Sequence, residues 1–326
     1  MFLAHRKWFA HVLSLLAISA LPLSASANSN WPTKPIRIIV PVPAGGSLDI
    51  LARTVAKGLT AKFNQPVIVE NMAGGGSNIA FGYVAKAAPD GYTLLLGWDS
   101  LAINPGLYPT LPYKLDQFAP ITLAITAPQV LVVGPKLPVK NLKTFIEVAR
   151  RNPGNISLAN AGNGSPGHLA GTLLESMADI KLSNIPYKGG APAVADLVAG
   201  HVDALMVTLP AAIQHIRSGR LTALGISSAK RSTGVPEIPT IAEAGLTGYD
   251  LNSWQGFLAP TGTPHEIITL LNQEIVQILK DPSVKKQLIS EGFEVIASSP
   301  KVLADYLQSS SPKWVKLIKD SGAKVD

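Results

Sequence analysis

The stretch that decides the fold is Ile36-Arg-Ile-Ile-Val-Pro-Val-Pro-Ala-Gly-Gly-Ser-Leu-Asp-Ile-Leu-Ala-Arg53. Its first residues are apolar and β-branched, as in a buried strand, and a turn with Pro and Gly leads into residues with helical spacing. A helix start offers free backbone N–H groups and the positive end of the helix dipole, which favour an anion. The turn has no Lys and no G-x-x-x-x-G-K-[ST] pattern, so it is not a Walker phosphate loop. We therefore expect it to hold a small carboxylate through backbone groups.

The first 27 residues have the features of an export signal. A short basic segment precedes the apolar segment Val12–Leu23, which is too short to span a bilayer comfortably, and Ala25-Ser-Ala27 is a small-residue cleavage site. We expect cleavage near Ala27 and a mature chain in the periplasm. The alternative is an N-terminal membrane anchor. No later stretch approaches ~20 uninterrupted apolar residues.

The composition excludes several functional classes. The chain has no Cys, which excludes thiolate catalysis and Cys-ligated metals. The six His show no metal-binding spacing, so we expect neither a metal nor another cofactor. The net charge of +7 falls to +5 when the signal, with Arg6 and Lys7, is removed, and the remaining bases are scattered. Nucleic-acid binding needs a dense basic stripe and is not expected.

Strand-like and helical segments alternate along the chain, which predicts an α/β fold of parallel strands covered by helices. The alternation occurs twice, and the last helices follow a single strand at Trp254–Ala259. We expect these helices to return to the first unit. The predicted domains are therefore residues 28–126 with 254–326, and residues 127–253. Two chain crossings between them would allow hinge closure around a ligand.

The first candidate loop is the turn of the opening stretch, with the candidate ligand-binding residues Val42, Pro43, Ala44, Gly45, Gly46 and Ser47. Its glycines permit close approach of a ligand to the backbone, and Ser47 can cap the helix or donate to a ligand. Asp49 lies about one turn into the helix. It stabilises the helix start, fixes the loop, or accepts a hydrogen bond from a protonated or hydroxylated group of the ligand.

A second loop, residues 73–78, contains three glycines before Asn78. The spacing is not G-x-G-x-x-G and the loop follows the second strand rather than the first, which argues against a dinucleotide enzyme. Asn78 either caps the next helix or contacts a ligand. Ser100 follows the third strand, so we expect it at the mouth of the same crevice.

A third loop, at residues 160–168, supplies the candidates Gly164, Ser165, Pro166, Gly167 and His168. Pro166 fits the first position of a helix with Ser165 as its N-cap, and the N–H groups there would face the first loop. A G-x-S-x-G nucleophile elbow would need Gly at position 163, which is Asn. A hydrolase using Ser165 and His168 is the rival function. Otherwise His168 either bonds a ligand oxygen or is a packed or solvent-facing residue.

Two further strand ends add candidates. Tyr187 and Lys188 follow one strand, where they can reach an anion, although Lys188 is equally well explained as a solvated surface cation. Thr208 ends another strand of the same unit and is expected to line the side of the pocket.

The matching segments of a family resemblance run in order over the whole mature chain: Trp31–Ile36, Val40–Arg53, Val69–Asn71, Pro89–Leu94, Asn104–Tyr108, Phe118–Pro120, His168–Ala170, Pro186–Gly189, Gly200–Asp203, Pro239–Gly245, Trp254–Gly256 and Ala259–Pro264. As a set they resemble the Bug-type extracytoplasmic solute receptors of tripartite tricarboxylate transporters.

The resemblance implies a two-lobed periplasmic binding fold of type II-like form, in which each lobe is a mostly parallel sheet flanked by helices. It also implies a monomeric receptor, not an enzyme, that captures a small organic acid and delivers it to a membrane permease. Such receptors hold one carboxylate through loop backbone, hydroxyls and ordered water, which here corresponds to Val42–Ser47 and Gly164–His168. Val42 departs from the Phe common in the family. The identity of the acid is left open.

Overall fold

The computed structural model describes residues 31–321, so the predicted export signal lies outside the described residues. The strands are β1 (Ile36–Val40), β2 (Val67–Asn71), β3 (Thr93–Trp98), β4 (Phe118–Val133), β5 (Ser157–Asn160), β6 (Ser183–Pro186), β7 (Ala204–Thr208), β8 (Thr222–Ile226), β9 (Asn252–Pro260) and β10 (Glu294–Val295). The helices are α1 (Ser47–Phe63), α2 (Asn78–Ala85), α3 (Ser100–Leu107), α4 (Leu142–Arg151), α5 (Pro166–Ala178), α6 (Gly190–Val198), α7 (Leu209–Arg217), α8 (His265–Lys280), α9 (Pro282–Ser290) and α10 (Pro300–Ser321).

The strands form two sets that share β4. In the first set β1 pairs in parallel with β2 and β3, and β9 runs antiparallel between β3 and β4. In the second set β5 pairs in parallel with β6 and β7, and β4 runs antiparallel to β7 and β8. Each set therefore has three parallel strands, as the alternation predicts, and antiparallel strands where the two sets join.

The long strand β4 connects the two sets. Its residues 118–128 pair with β9, whereas its residues 129–133 pair with β7 and β8. The second crossing comes just before β9, because β8 belongs to the second set and β9 to the first. These changes of partner lie close to the predicted domain boundaries, although the division into domains stays a prediction.

Buried apolar side chains cover both faces of the second set. Leu131 and Val133 of β4 join one core, and Val130 and Val132 join the other, as the alternation of side chains along a strand requires. A strand buried on both faces needs a continuous apolar run, and residues 130–133 of β4, Val-Leu-Val-Val, provide one. Helix α10 contributes Trp314 to the first of these cores.

Three elements were missed by the sequence analysis: α3, the first half of β4 and the two-residue strand β10. Helix α3 carries Pro105 inside it, and the first half of β4 carries Pro120 and Pro128. Proline removes a backbone donor and normally argues against both kinds of element. The ladder of β4 with β9 shifts register between Pro120 and Thr122, which accommodates the missing donor.

Candidate functional site

Four strand-to-helix loops meet over one small cavity. It is lined by Val42, Gly46, Ser47, Leu48, Trp98, Gln129, Ala161, Gly167, Gly190, Val207, Thr208 and Ala211. In this arrangement the cavity has room for one or two waters, which is the size of a carboxylate group. The body of a larger acid would therefore enter only with the loops farther apart. Of the predicted site residues, Val42, Gly46, Ser47, Gly167 and Thr208 are among its lining.

The N-terminal ends of α1, α5, α6 and α7 surround the cavity. Each of these helices contributes to the cavity lining a residue at or next to its first residue. Helices α1, α6 and α7 have no side-chain cap. The first N–H groups of a helix lack intrahelical partners and carry the positive end of the dipole. Their convergence makes the electrostatic environment of the cavity favourable for a negative charge.

The first loop is fixed by Asp49. Its carboxylate accepts hydrogen bonds from the backbone N–H of Gly45 at 3.0 Å, from Arg53 Nε at 2.9 Å and from Asn71 Nδ2 at 3.0 Å. Asn71 Nδ2 also donates to the carbonyl of Val42 at 3.1 Å. The buried Asp49 side chain therefore points back into the loop, which supports the loop-fixing interpretation rather than ligand contact.

Two opposing effects set the pKa of Asp49. Burial favours the neutral acid, but the hydrogen bonds from Arg53, Gly45 and Asn71 outweigh it and hold the pKa below its ordinary value. Asp49 is therefore ionised at neutral pH.

Ser47 joins the two strand sets at the cavity. Its Oγ accepts from Thr208 Oγ1 at 3.0 Å and from Gln255 Nε2 at 2.9 Å. A hydroxyl has two acceptor positions and one proton. With both acceptor positions occupied, the Ser47 proton is available for a group inside the cavity.

The third loop is held by its own side chains. Ser165 Oγ accepts from the backbone N–H of His168 at 3.2 Å, so Ser165 is the N-cap of α5, as predicted. The backbone N–H of Gly164 donates to His168 Nδ1 at 3.0 Å, and burial lowers the pKa of His168. The His168 ring is thus not the base of Ser165, and the geometry of a nucleophile–base pair is not formed. Gly167 lies against the carbonyl of Met206, where a side chain would collide.

The fourth loop contributes backbone rather than side chains. Tyr187 donates its hydroxyl to Asp196 at 2.7 Å, and partial burial together with this carboxylate raises the pKa of Tyr187 to about 12. Lys188 is exposed and is not among the lining residues. Gly189 instead packs against Pro43 of the first loop, and a Cβ on Gly189 would lie 2.7 Å from Pro43 Cδ.

The second loop lies beside the cavity without lining it. Asn78 accepts from Asn104 Nδ2 at 2.7 Å, and Ser77 accepts from Trp98 Nε1 at 3.1 Å. Ser100 is buried at the start of α3. Asn78 and Ser100 are absent from the cavity lining. The same holds for other predicted residues of the first and third loops: Pro43, Ala44, Gly45, Gly164, Ser165, Pro166 and His168.

Sequence analysis missed two buried amides, Gln129 and Gln255. Gln129 stands in the apolar run of β4 between Ala127 and Val133. A lone amide at a core position of a strand is the signal that would have singled it out, because a buried polar group needs a partner. Gln255 supports Ser47 and carries the same signal in β9.

Within residues 31–321 no helix has the length and apolar composition needed to cross a membrane. Among the same residues no group of His, Asp or Glu is arranged to hold a metal ion.

The two strand sets, each with three parallel strands covered by helices, have the fold of periplasmic binding proteins. Residues 51–323 match the family model described as "Tripartite tricarboxylate transporter family receptor". The chain belongs to this family.

Three similar proteins support the assignment. Protein BugT of Bordetella pertussis (strain Tohama I) is 38% identical over 309 residues, which are 94% of this chain and 94% of that protein. The periplasmic binding protein BugD is 34% identical with a TM-score of 0.86, over 90% of this chain and 99% of that one. A Rhodopseudomonas palustris protein solved with adipate, Rpa4515, is 34% identical with a TM-score of 0.88, over 90% of this chain and 100% of that one.

Proposed function

We propose that the protein binds a small organic carboxylate at this cavity and delivers it to the membrane permease of a tripartite tricarboxylate-type transporter. The observation that carries the proposal is the convergence of four helix N-termini, from both strand sets, on one cavity. A carboxylate there would accept from backbone N–H groups without a buried cation.

The residues around the cavity divide into groups that hold the ligand and groups that hold the loops. Gly46, Ser47, Gly167, Gly190 and Thr208 supply backbone N–H or hydroxyl groups at the lining. Ordered water completes such contacts at little cost in affinity. Asp49, Ser165 and His168 act on the conformation of the loops through the hydrogen bonds described above.

Ligand binding would be coupled to closure of the two predicted domains, residues 28–126 with 254–326 and residues 127–253. Two contacts that join the loops of the two strand sets support this proposal: Thr208 Oγ1 donates to Ser47 Oγ, and Gly189 packs against Pro43. A ligand that bridges the same loops would favour the closed arrangement by its differential affinity for it.

The predicted export signal supports a periplasmic location for the mature chain, with cleavage near Ala27. We expect a monomer that acts as a receptor and has no catalytic step. The hydrolase alternative lacks support, because the Ser165 hydroxyl accepts from the His168 backbone and the His168 ring accepts from Gly164.

Isothermal titration calorimetry of the mature chain, residues 28–326, against a panel of organic acids tests the proposal. At least one mono-, di- or tricarboxylate should bind, and Ser47→Ala should weaken it about tenfold, the effect of losing a hydrogen bond to a charged group. Ser309→Ala, on an exposed face of α10, is the matched control and should bind like the wild type. Absence of heat with every acid of the panel would contradict the proposal.

A further inference from the structure

Strand β2 forms an outer edge of the sheet, since within residues 31–321 it pairs only with β1. Just before β2 the Pro66 carbonyl accepts from the Ile36 N–H at 3.0 Å, and just after it the Met72 N–H donates to the Val40 carbonyl at 2.8 Å. The even-numbered residues of β2 therefore bond to β1. Because alternate residues of a strand turn their backbone groups in opposite directions, the odd-numbered residues, with Val69 at the centre, face outward.

A groove of about 330 Å³ runs along this open edge, between β2 and α1. It is lined by Arg53, Ala56, Lys57, Thr60, Val67 and Val69. The four helical residues are spaced i, i+3, i+4 and i+7, so they lie on one face of α1. Side chains alternate along a strand, and on the opposite face of β2 the side chain of Ile68 is 46% exposed. An open strand edge beside a groove fits an extended peptide that adds to the sheet as a further strand.

The charges of the groove indicate which peptide fits. Two cations, Arg53 and Lys57, line it, and no acid does. Lys57 is exposed and forms no ion pair within residues 31–321. Two copies of this chain that paired through β2 would bring these cations together, which disfavours a symmetric contact. The groove is therefore complementary to an extended segment with acidic side chains.

The groove adjoins the network that fixes the first loop. Arg53 donates to Asp49 at 2.9 Å and to Asn71 Oδ1 at 3.3 Å. Asp49 in turn holds the Gly45 N–H, and Asn71 holds the Val42 carbonyl. A carboxylate bound in the groove would compete with Asp49 for Arg53 and loosen the loop that lines the ligand cavity. Such an effect suits a partner that receives the ligand.

We propose that this groove docks the membrane permease, an extended acidic segment of which adds to β2 and places a carboxylate at Arg53 and Lys57. The proposal rests on the proposed receptor function and names the surface through which the ligand is delivered. The added strand bonds to the outward backbone groups around Val69. Because the segment draws Arg53 away from Asp49, the segment and the ligand weaken each other's binding.

A pair of peptides tests the surface by NMR at low salt. The probe is acetyl-Thr-Glu-Val-Glu-Val-Thr-amide, and the matched control has lysine in place of both glutamates. The acidic peptide should shift the amide signals of Val69 and Asn71 with a Kd below about 5 mM, and bind at least about fivefold more tightly than the control. When saturating, it should weaken the best-bound acid of the calorimetric panel about threefold or more.

No saturable shift at β2, or equal binding of the two peptides, overturns the proposal. An unchanged affinity for the acid overturns the competition for Arg53. Binding of the acid without peptide measures the receptor function separately.

Two variants test in cells whether the permease is the occupant. Val69→Pro removes the outward N–H at a position where an edge strand tolerates proline, and Lys57→Glu reverses a charge of the groove. Each should lower uptake of the radiolabelled acid about tenfold or more when it replaces the wild-type receptor, while the calorimetric affinity for the acid stays within about twofold. Lys143→Glu, on an exposed position of α4, is the matched control and should support full uptake.

Full uptake with both variants overturns the docking site. If Val69→Pro does not fold, as measured by circular dichroism, Lys57→Glu decides the question alone. A wild-type receptor that binds no acid, or that adds no uptake to cells lacking it, contradicts the proposed function and this proposal with it.

Discussion

The first and second glycine-containing loops are alike in sequence and different in what their polar groups contact. Both lie between a strand and a helix. In the second loop the Gly76 carbonyl accepts from Asn104 Nδ2 at 2.8 Å, and Ser77 Oγ donates to the carbonyl of Pro41 at 3.2 Å. In the first loop, Gly46 and Ser47 line the cavity. Glycine content thus indicates a turn, whereas the partners of the backbone and hydroxyl groups indicate whether the turn is open to a ligand.

Removing the anchor of the first loop should have the largest effect. Asp49→Ala removes the acceptor of three hydrogen bonds, from Gly45, Arg53 and Asn71. We expect a loss of about 2–3 kcal/mol in the free energy of unfolding, measured with urea. Ligand affinity should fall at least about tenfold, because Gly46 and Ser47 lose their fixed position.

The control for Asp49→Ala is Asp305→Ala, which removes an exposed carboxylate from an ion pair with Lys301 and should change neither quantity measurably. If Asp49→Ala destabilised the protein but left ligand affinity intact, the loop would not depend on this anchor for binding.

Substitution of one glycine in each loop region distinguishes the loops by the effect on ligand affinity. Gly189 faces Pro43 of the first loop with a φ of 137°, whereas Gly76 faces the Tyr108 hydroxyl with a φ of 61°. Gly189→Ala should carry a backbone-strain cost of about 1–3 kcal/mol and should in addition weaken ligand binding about tenfold or more by preventing the two loops from meeting. Gly76→Ala should lower the free energy of unfolding by about 1–3 kcal/mol with little change in affinity. Calorimetry and urea unfolding of both variants measure the two effects, and the reverse pattern would assign the loops the other way round.

Local pattern predicted most of the fold, and the exceptions have physical reasons. The apolar run of β1 and the helical spacing of α1 give their bounds to within about two residues. The first half of β4 was missed because Pro120 and Pro128 argue against a strand, and because its pairing with β9, which shifts register after Pro120, is long-range. Long-range contacts of this kind leave no local signal.

The distinction between local sequence signals and long-range contacts also applies to the residues of the candidate site. Ser165 was identified as an N-cap because capping is local. Gln129 carries a local signal, a lone amide in an apolar strand, but its proximity to Gly167 arises only when the fold brings β4 and α5 together. Asn78 and Ser100 were included because they follow strands, but the fold buries them beside the cavity rather than at its lining.

Removal of a single hydroxyl group from each loop region should have smaller effects on stability and ligand affinity. Ser77→Ala leaves the Pro41 carbonyl and Trp98 Nε1 without their partner and should cost about 1–2 kcal/mol of unfolding free energy. Thr208→Val keeps the side-chain shape and removes only the bond to Ser47. It should weaken ligand binding about fivefold and cost about 1 kcal/mol of unfolding free energy. Equal effects of the two variants on affinity would mean that the second loop also contacts the ligand.

The pH dependence of stability gives the smallest and most specific difference between the loops. The pKa of Asp49 in the folded protein is below its ordinary value, so the unfolded chain binds more protons at acidic pH and stability falls as pH falls. The stabilisation is complete above about pH 4–5, the upper end of the titration of an unfolded Asp, and is lost as pH decreases through the folded-state pKa. The difference in unfolding free energy between wild type and Asp49→Asn should therefore shrink below about pH 4, by at most about 1.4 kcal/mol per pH unit.

The control is Ser77→Ala, which changes no titratable group. The difference in unfolding free energy between this variant and the wild type should stay constant over the same pH range. A constant difference for Asp49→Asn as well would show that ionised Asp49 does not hold the first loop.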